Sequence, residues 1–186
     1  MPAPMKIIGY RTITTAHRWG RPVGDANGAI RSGVTEVPVL LVLTDGGITG
    51  IGLGAHTDVA RVFPALDGED PRAVTALYDR MLSYVFKAGH AGATFGAIGA
   101  LDTAVWDIKA KLAGEPLWRT LGARDRFVPG YASALEIAVD DDALASVYEP
   151  WADRGFVSAK IKGGLDTERD ISRLRTVRQV LTRNTR

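Results

Sequence analysis

From residue 127 onward the chain alternates strand and helix signals, and this limits the folds open to it more than any other feature. Phe127–Ser133 is predicted as a strand, Asp141–Arg154 as a helix, Val157–Ile161 as a strand and Thr167–Leu181 as a helix. Such alternation is the pattern of βαβ units around a parallel sheet. A parallel sheet needs cover on both faces. Two βα units over some 60 residues cannot supply it, and a closed (β/α)8 barrel takes about 250 residues. The sequence therefore reads as a larger parallel-sheet domain that starts at 127 and stops early.

The first 126 residues follow other rules. Lys6–Thr14, rich in Ile, Tyr and Thr, and Thr35–Thr44, a nearly continuous Val/Leu run, are predicted strands. Ile48–Gly54 follows across Asp45-Gly46-Gly47, residues that tolerate the positive φ of a tight hairpin. An antiparallel sheet of at least three strands results. Helical spacing then sets in. Pro71–Tyr84 places Val74, Leu77, Met81 and Leu82 on one face. Thr94–Ala113 repeats Phe95, Ile98, Leu101, Val105, Ile108 and Leu112 at steps of three and four. Gly114 ends that helix, and Pro116 opens a short one that stops near Leu121-Gly122. The expected organisation is an α+β domain over 1–126 and a β-α-β-α segment over 127–186. Between the first two strands, Thr15–Gly33 reads as a long functional or mobile loop carrying His17, Arg18, Trp19, Arg21, Asp25, Asn27 and Arg31.

Composition excludes several classes. Hydrophobic residues make up 46% and charged residues 24%, the balance of a globular chain. The absence of cysteine removes disulfides and thiolate metal sites. The most apolar run, Val37–Leu43, is far short of the roughly 20 residues that cross a bilayer. The opening Met-Pro-Ala-Pro-Met-Lys lacks the apolar stretch of a signal peptide. A cytoplasmic protein with no membrane partner is expected. The formal charge is only +2, but residues 151–186 carry 9 basic and 4 acidic groups. Arg169, Arg173, Arg175, Arg178, Arg183 and Arg186 share no single face and no aromatic residue interleaves, so they read as a solvated outer helix and no nucleic-acid partner is expected. Gly50-Ile51-Gly52-Leu53-Gly54 follows a hairpin rather than opening a helix, which argues against dinucleotide binding. Gly163-Gly164 reads as a tight βα turn. Asp166, Glu168 and Asp170 sit at a helix start, where carboxylates favour the macrodipole.

Lys160-Ile161-Lys162 carries the chemistry. In a strand, residues i and i+2 share a face, so the two lysines project together. Adjacent ammonium groups disfavour each other's charge, and a lysine lowered in this way can serve as a general base near neutral pH. Taken alone, the same tripeptide is more often a half-buried strand with two solvated lysines.

The helix sequence Ala97-Ile98-Gly99-Ala100-Leu101-Asp102-Thr103-Ala104-Val105-Trp106-Asp107-Ile108-Lys109-Ala110-Lys111, followed by Pro116-Leu117 and Leu121-Gly122 and then by Ser158-Ala159-Lys160-Ile161-Lys162-Gly163-Gly164, resembles the mandelate racemase / muconate lactonising enzyme group of the enolase superfamily. Arg21-Pro22-Val23-Gly24-Asp25-Ala26 with Thr35-Glu36-Val37 is most similar to its acid-sugar dehydratases, including those acting on talarate and galactarate. The resemblance implies an α+β capping domain followed by the first two βα units of a TIM-like barrel. It implies that Lys162 abstracts the proton α to a substrate carboxylate while Lys160 holds that carboxylate. The long loop becomes a lid, with Arg18, Arg21, Asp25 and Asn27 suited to a polyhydroxylated anion, and His56 a further candidate for the substrate. Asp102, Trp106 and Asp107 are expected to pack and cap. The implied cofactor is Mg²⁺, with its carboxylate ligands on later barrel strands, beyond residue 186. The expected protein is thus the N-terminal part of an acid-sugar dehydratase, inactive as this chain alone, acting on a small carboxylate or sugar acid and assembling as a homo-oligomer. A racemase or cycloisomerase is the nearest alternative, and a non-catalytic capping or assembly module is an alternative of another class.

Overall fold

A computed structural model describes residues 4–89, 91–164 and 166–183. The strands are β1 (Ile7–Arg18), β2 (Val23–Asp25), β3 (Gly28–Ile30), β4 (Val34–Thr44), β5 (Thr49–Leu53), β6 (Ala132–Ser133) and β7 (Ala159–Lys160). The helices are α1 (Val59–Val62), α2 (Val74–Tyr84), α3 (Gly92–Leu112), α4 (Leu117–Thr120), α5 (Asp141–Asp153) and α6 (Thr167–Thr182). The chain forms two compact units. One comprises Met1–Ala16 and Glu36–Arg126, the other His17–Thr35 and Phe127–Arg186. Residues 17–35, grouped by the sequence with the first 126, therefore pack with the chain after 126.

The first unit is an antiparallel sheet with helices laid on it, as the sequence leads one to expect. Strand order is β1-β4-β5. β4 and β5 pair from Leu43↔Thr49 to Val39↔Leu53 across the Asp45-Gly46-Gly47 turn, where Gly47 takes φ +79°. Leu40 and Val42 alternate inward and are fully buried; each such burial is worth about 1.5–3 kcal/mol. Against them α3 sets Ala97, Ile98, Ala100, Leu101, Ala104, Val105 and Ile108. Phe95, assigned by its spacing to that face, lies on the exposed side. Asp107 ties helix to sheet: its Oδ2 accepts from the Ile51 N–H at 2.8 Å and from Lys111 Nζ at 2.6 Å. The helix predicted from Pro71 begins only at Val74. The residues before it form an Asx turn, in which Asp70 Oδ1 accepts from Arg72 N at 3.0 Å.

The second unit is built on two parallel strands and two helices. β6 and β7 pair in parallel through Ala132↔Ala159 and Ser133↔Lys160. The helices α5 and α6 cover the strands, with a core of Ala132, Ala134, Leu144, Tyr148, Ala152, Val177 and Leu181. Each helix starts on a carboxylate cap: Asp140 accepts from Ala143 N at 2.7 Å and Asp166 from Arg169 N at 2.9 Å.

Three expectations are corrected here. The predicted strand Phe127–Ser133 shrinks to Ala132–Ser133. Phe127 and Val128 are apolar but 76% and 85% exposed, and both lie outside the strands. The presumed loop 15–33 is largely structured: β1 runs on to Arg18, and β2 and β3 form a hairpin with Val23↔Ile30, Gly24↔Ala29 and Asp25↔Gly28. Its short strands and polar, Gly-containing sequence hide any alternation. Finally, Arg173 is not on a solvated face but fully buried, because its guanidinium has carboxylate and carbonyl partners beneath α6. Arg169, Arg175, Arg178 and Arg183 are exposed, and Arg186 lies outside the described residues. Among the described residues no helix is long and apolar enough to cross a membrane.

Candidate functional site

The lysine pair stands at the end of β7. Ladder pairing stops at Lys160, yet the alternation continues past it. Ala159 and Ile161 line one apolar groove with Val157, Leu174, Val177 and Leu181. The lysines at the alternate positions therefore face the other side, Lys160 exposed and Lys162 half-buried. Among the described residues neither lysine side chain has an ion-pair partner.

The lysine backbone is held from below by residues the sequence did not single out. Glu136, fully buried, accepts the Lys162 N–H on Oε1 at 2.5 Å. Its charge is matched by Arg173, whose Nη2 lies 3.7 Å from Oε1. Tyr148, also fully buried, donates its hydroxyl to the Lys160 carbonyl at 3.4 Å. Burial, reinforced by the negative charge of Glu136, pushes the Tyr148 phenol well above its ordinary range, so it stays a protonated donor. Only one local sign could have marked Glu136 and Arg173: a charged residue inside an otherwise apolar or amphipathic stretch. Pairing across 37 positions leaves no periodic signal.

The segment carrying the other candidates folds against the same region. Gly24 bridges Glu136 in parallel register, and its N–H donates to the Leu135 carbonyl at 2.9 Å. Arg21 donates Nη2 to the Ala134 carbonyl and Nη1 to the Leu135 carbonyl at 3.4 Å. Its guanidinium is thus spent on backbone oxygens, and it works as a tether. Asp25 Oδ1 accepts from Asn27 N at 2.9 Å, the side-chain turn that closes the β2–β3 hairpin. Asn27 is exposed at the hairpin tip, and Arg18 is exposed at the end of β1. The tip reaches the loop after the lysines: a Cβ on Gly164 would stand 3.6 Å from Ala26 Cβ. Lys160, Lys162, Arg21, Asp25 and Asn27 are therefore gathered in one unit, with the hairpin against the Gly163-Gly164 turn. His56 belongs to the first unit, where its Nε2 is buried and, among the described residues, without a hydrogen-bond partner.

Asp166 caps α6 and Asp170 Oδ2 accepts from the Gly164 N–H at 2.8 Å, which occupies both in local structure. Among the described residues no three His, Asp or Glu side chains converge on one point. These residues do not by themselves fit a Mg²⁺ site.

Comparison with known proteins gives a consistent result. The family model for the N-terminal domain of mandelate racemase / muconate lactonizing enzyme matches residues 10–122. A D-mannonate dehydratase from Rhizorhabdus wittichii is 34% identical over 160 residues, 78% of this chain and 35% of that protein. The L-talarate/galactarate dehydratase of Salmonella typhimurium is 29% identical over 163 residues, 80% of this chain and 40% of that one. Among solved structures, a racemase from Streptomyces coelicolor with bound magnesium superposes with a TM-score of 0.81 at 26% identity, over 94% of this chain and 52% of that chain. The chain thus spans about half or less of the length of these relatives.

Proposed function

The chain belongs to the mandelate racemase / muconate lactonizing enzyme family, and from that premise we propose that it is the N-terminal part of an enzyme that removes the proton α to the carboxylate of an acid sugar and dehydrates it. In this reading β6-α5-β7-α6 opens a barrel completed by sequence beyond residue 186, where the Mg²⁺ ligands also lie, and this chain alone is inactive. Bound Mg²⁺ would supply positive charge to the substrate carboxylate.

Lys162 is the proposed base. As the neutral amine it takes the α-proton onto Nζ, and the electron pair left behind spreads into the carboxylate oxygens. The Lys160 ammonium, on the same side of the strand, holds those oxygens where the charge grows. Departure of the β-hydroxyl as water, with a proton from a group outside this chain, leaves an enol that tautomerises to a 2-keto-3-deoxy acid. Arg18, Asp25 and Asn27 are the proposed contacts to substrate hydroxyls, and Arg21 keeps their segment in place.

One observation carries this reading: two lysines alternate with the groove-lining Ala159 and Ile161, their backbone is held by buried Glu136 and Tyr148, and among the described residues their ammonium groups have no ion-pair partner. The dehydratases among the relatives support the dehydration branch. The racemase with bound magnesium favours a second reading, in which the same carbanion is reprotonated instead. The test is to incubate the full-length protein with Mg²⁺ and D-mannonate, L-talarate or galactarate in deuterated water. Dehydration predicts a 2-keto-3-deoxy product carrying solvent deuterium at C3, where the enol is protonated. Exchange with inversion and no keto acid supports the second reading, and the absence of both would overturn the proposal.

A further inference from the structure

Among the described residues the parallel ladder ends at Ser133↔Lys160 and does not reach Lys162. Its N–H is taken instead by a side chain, Oε1 of Glu136. That acceptor is set up at some cost. Glu136 and Arg173 are both fully buried, and an apolar pair of similar volume is often at least as stable as a buried ion pair. Arg173 is itself held firmly: Nη2 donates to the Glu136 carbonyl at 2.9 Å, and Nη1 donates to the Val139 carbonyl at 2.9 Å and to Asp141 Oδ1 at 3.3 Å. Just before Glu136, Leu135 sits at φ +52°, the one non-glycine residue with positive φ among the described residues. A branched side chain is strained there, and such strain persists only where the surroundings enforce it. The turn coincides with a change of direction in the hydrogen bonding. The Leu135 carbonyl is used by Arg21 and Gly24, while the next residue's carboxylate serves Lys162.

We infer that Glu136, neutralised by Arg173 and accompanied by Tyr148 on the Lys160 carbonyl, is a positioning residue for the lysine pair: it replaces the hydrogen bond the sheet no longer supplies and so fixes where Lys162 points. The catalytic consequence rests on Lys162 being the base, as proposed above. The backbone consequence does not.

Residue-resolved amide hydrogen exchange and α-proton exchange on the full-length protein separate the two. In the wild type the Lys162 amide is protected although the ladder stops at Lys160. Glu136→Gln keeps an oxygen acceptor and retains that protection. The double variant Glu136→Met/Arg173→Met removes both charges and conserves volume. In it, Lys162 amide exchange rises about ten-fold, the loss of one net hydrogen bond, while the Leu144 and Val177 amides are unchanged. Its kcat for α-proton exchange falls about 100-fold, as expected for a misplaced reacting group, with KM nearly constant. Three results would overturn the inference: an unprotected Lys162 amide in the wild type, unchanged protection in the double variant, or loss spread evenly over α5 and α6. If the double variant does not fold, the wild-type amide decides alone. If the wild type shows neither α-proton exchange nor keto-acid formation on any acid sugar, the proposed function fails while the amide data still decide the positioning.

Discussion

Gly52 on β5 lies against the Ala100 carbonyl of α3: a Cβ built on it would stand 2.0 Å from that oxygen. Gly50 meets the Ala104 carbonyl in the same way, at 2.1 Å. Neither obstacle is a flexible side-chain end, so a methyl group here must push a whole helix off the sheet. The alternating glycines that could suggest a nucleotide loop are there for helix–sheet approach.

Gly52→Ala is accordingly expected to destabilise the first unit by at least the usual overpacking cost of about 1–3 kcal/mol. Gly99→Ala, where nothing lies within 4 Å of the added Cβ, serves as the control and is expected to be neutral or better. Chemical denaturation of both variants decides this. Equal midpoints would show that α3 does not rest on β5 at these positions.

Arg21 is a tether rather than a free ligand for substrate. Arg21→Ala removes hydrogen bonds from a charged donor to the Ala134 and Leu135 carbonyls, worth about 1.5–3 kcal/mol. Arg21→Lys is expected to recover little, since an ammonium lacks the planar fork that spans two carbonyls. The readout is amide hydrogen exchange over residues 17–35, which should accelerate in both variants. Unchanged exchange would release Arg21 from this role.

Much of the fold was legible because it obeys local rules. The β4–β5 hairpin announces itself through Asp45-Gly46-Gly47, and α2 and α3 through three- and four-residue spacing. The lysine pair was equally visible, since alternation along one strand is a local property. What escaped notice was non-local. Arg173 looks like its exposed neighbours on α6 and is buried only because Glu136 waits 37 positions away. The β2–β3 hairpin is too short for alternation to register. Phe127 and Val128 have strand-like composition, yet they lie exposed outside the strands.

Asp102 supplies a pH dependence. Burial pushes its carboxyl above the ordinary value of 3.8, so the folded protein binds this proton more tightly than the unfolded chain does. Through the window from 3.8 up to that raised value the folded state holds more protons, and stability declines as pH rises. Asp70 acts oppositely. The Arg72 hydrogen bond lowers its pKa, so its contribution is present above 3.8 and lost as pH falls through the lowered value. Asp102→Asn should therefore raise the melting temperature at neutral pH and have little effect at the acid end of the window. A variant less stable at neutral pH would show that the Asp102 charge is compensated.

The most direct measurement is α-proton exchange by the full-length Lys162→Ala variant in deuterated water, with D-mannonate, L-talarate and galactarate as substrates and Mg²⁺ present. A general base typically contributes about 10²–10⁴-fold. The account predicts that exchange falls by at least that much while Mg²⁺ binding and the melting temperature hold. Exchange at the wild-type rate would contradict it and remove Lys162 from the chemistry.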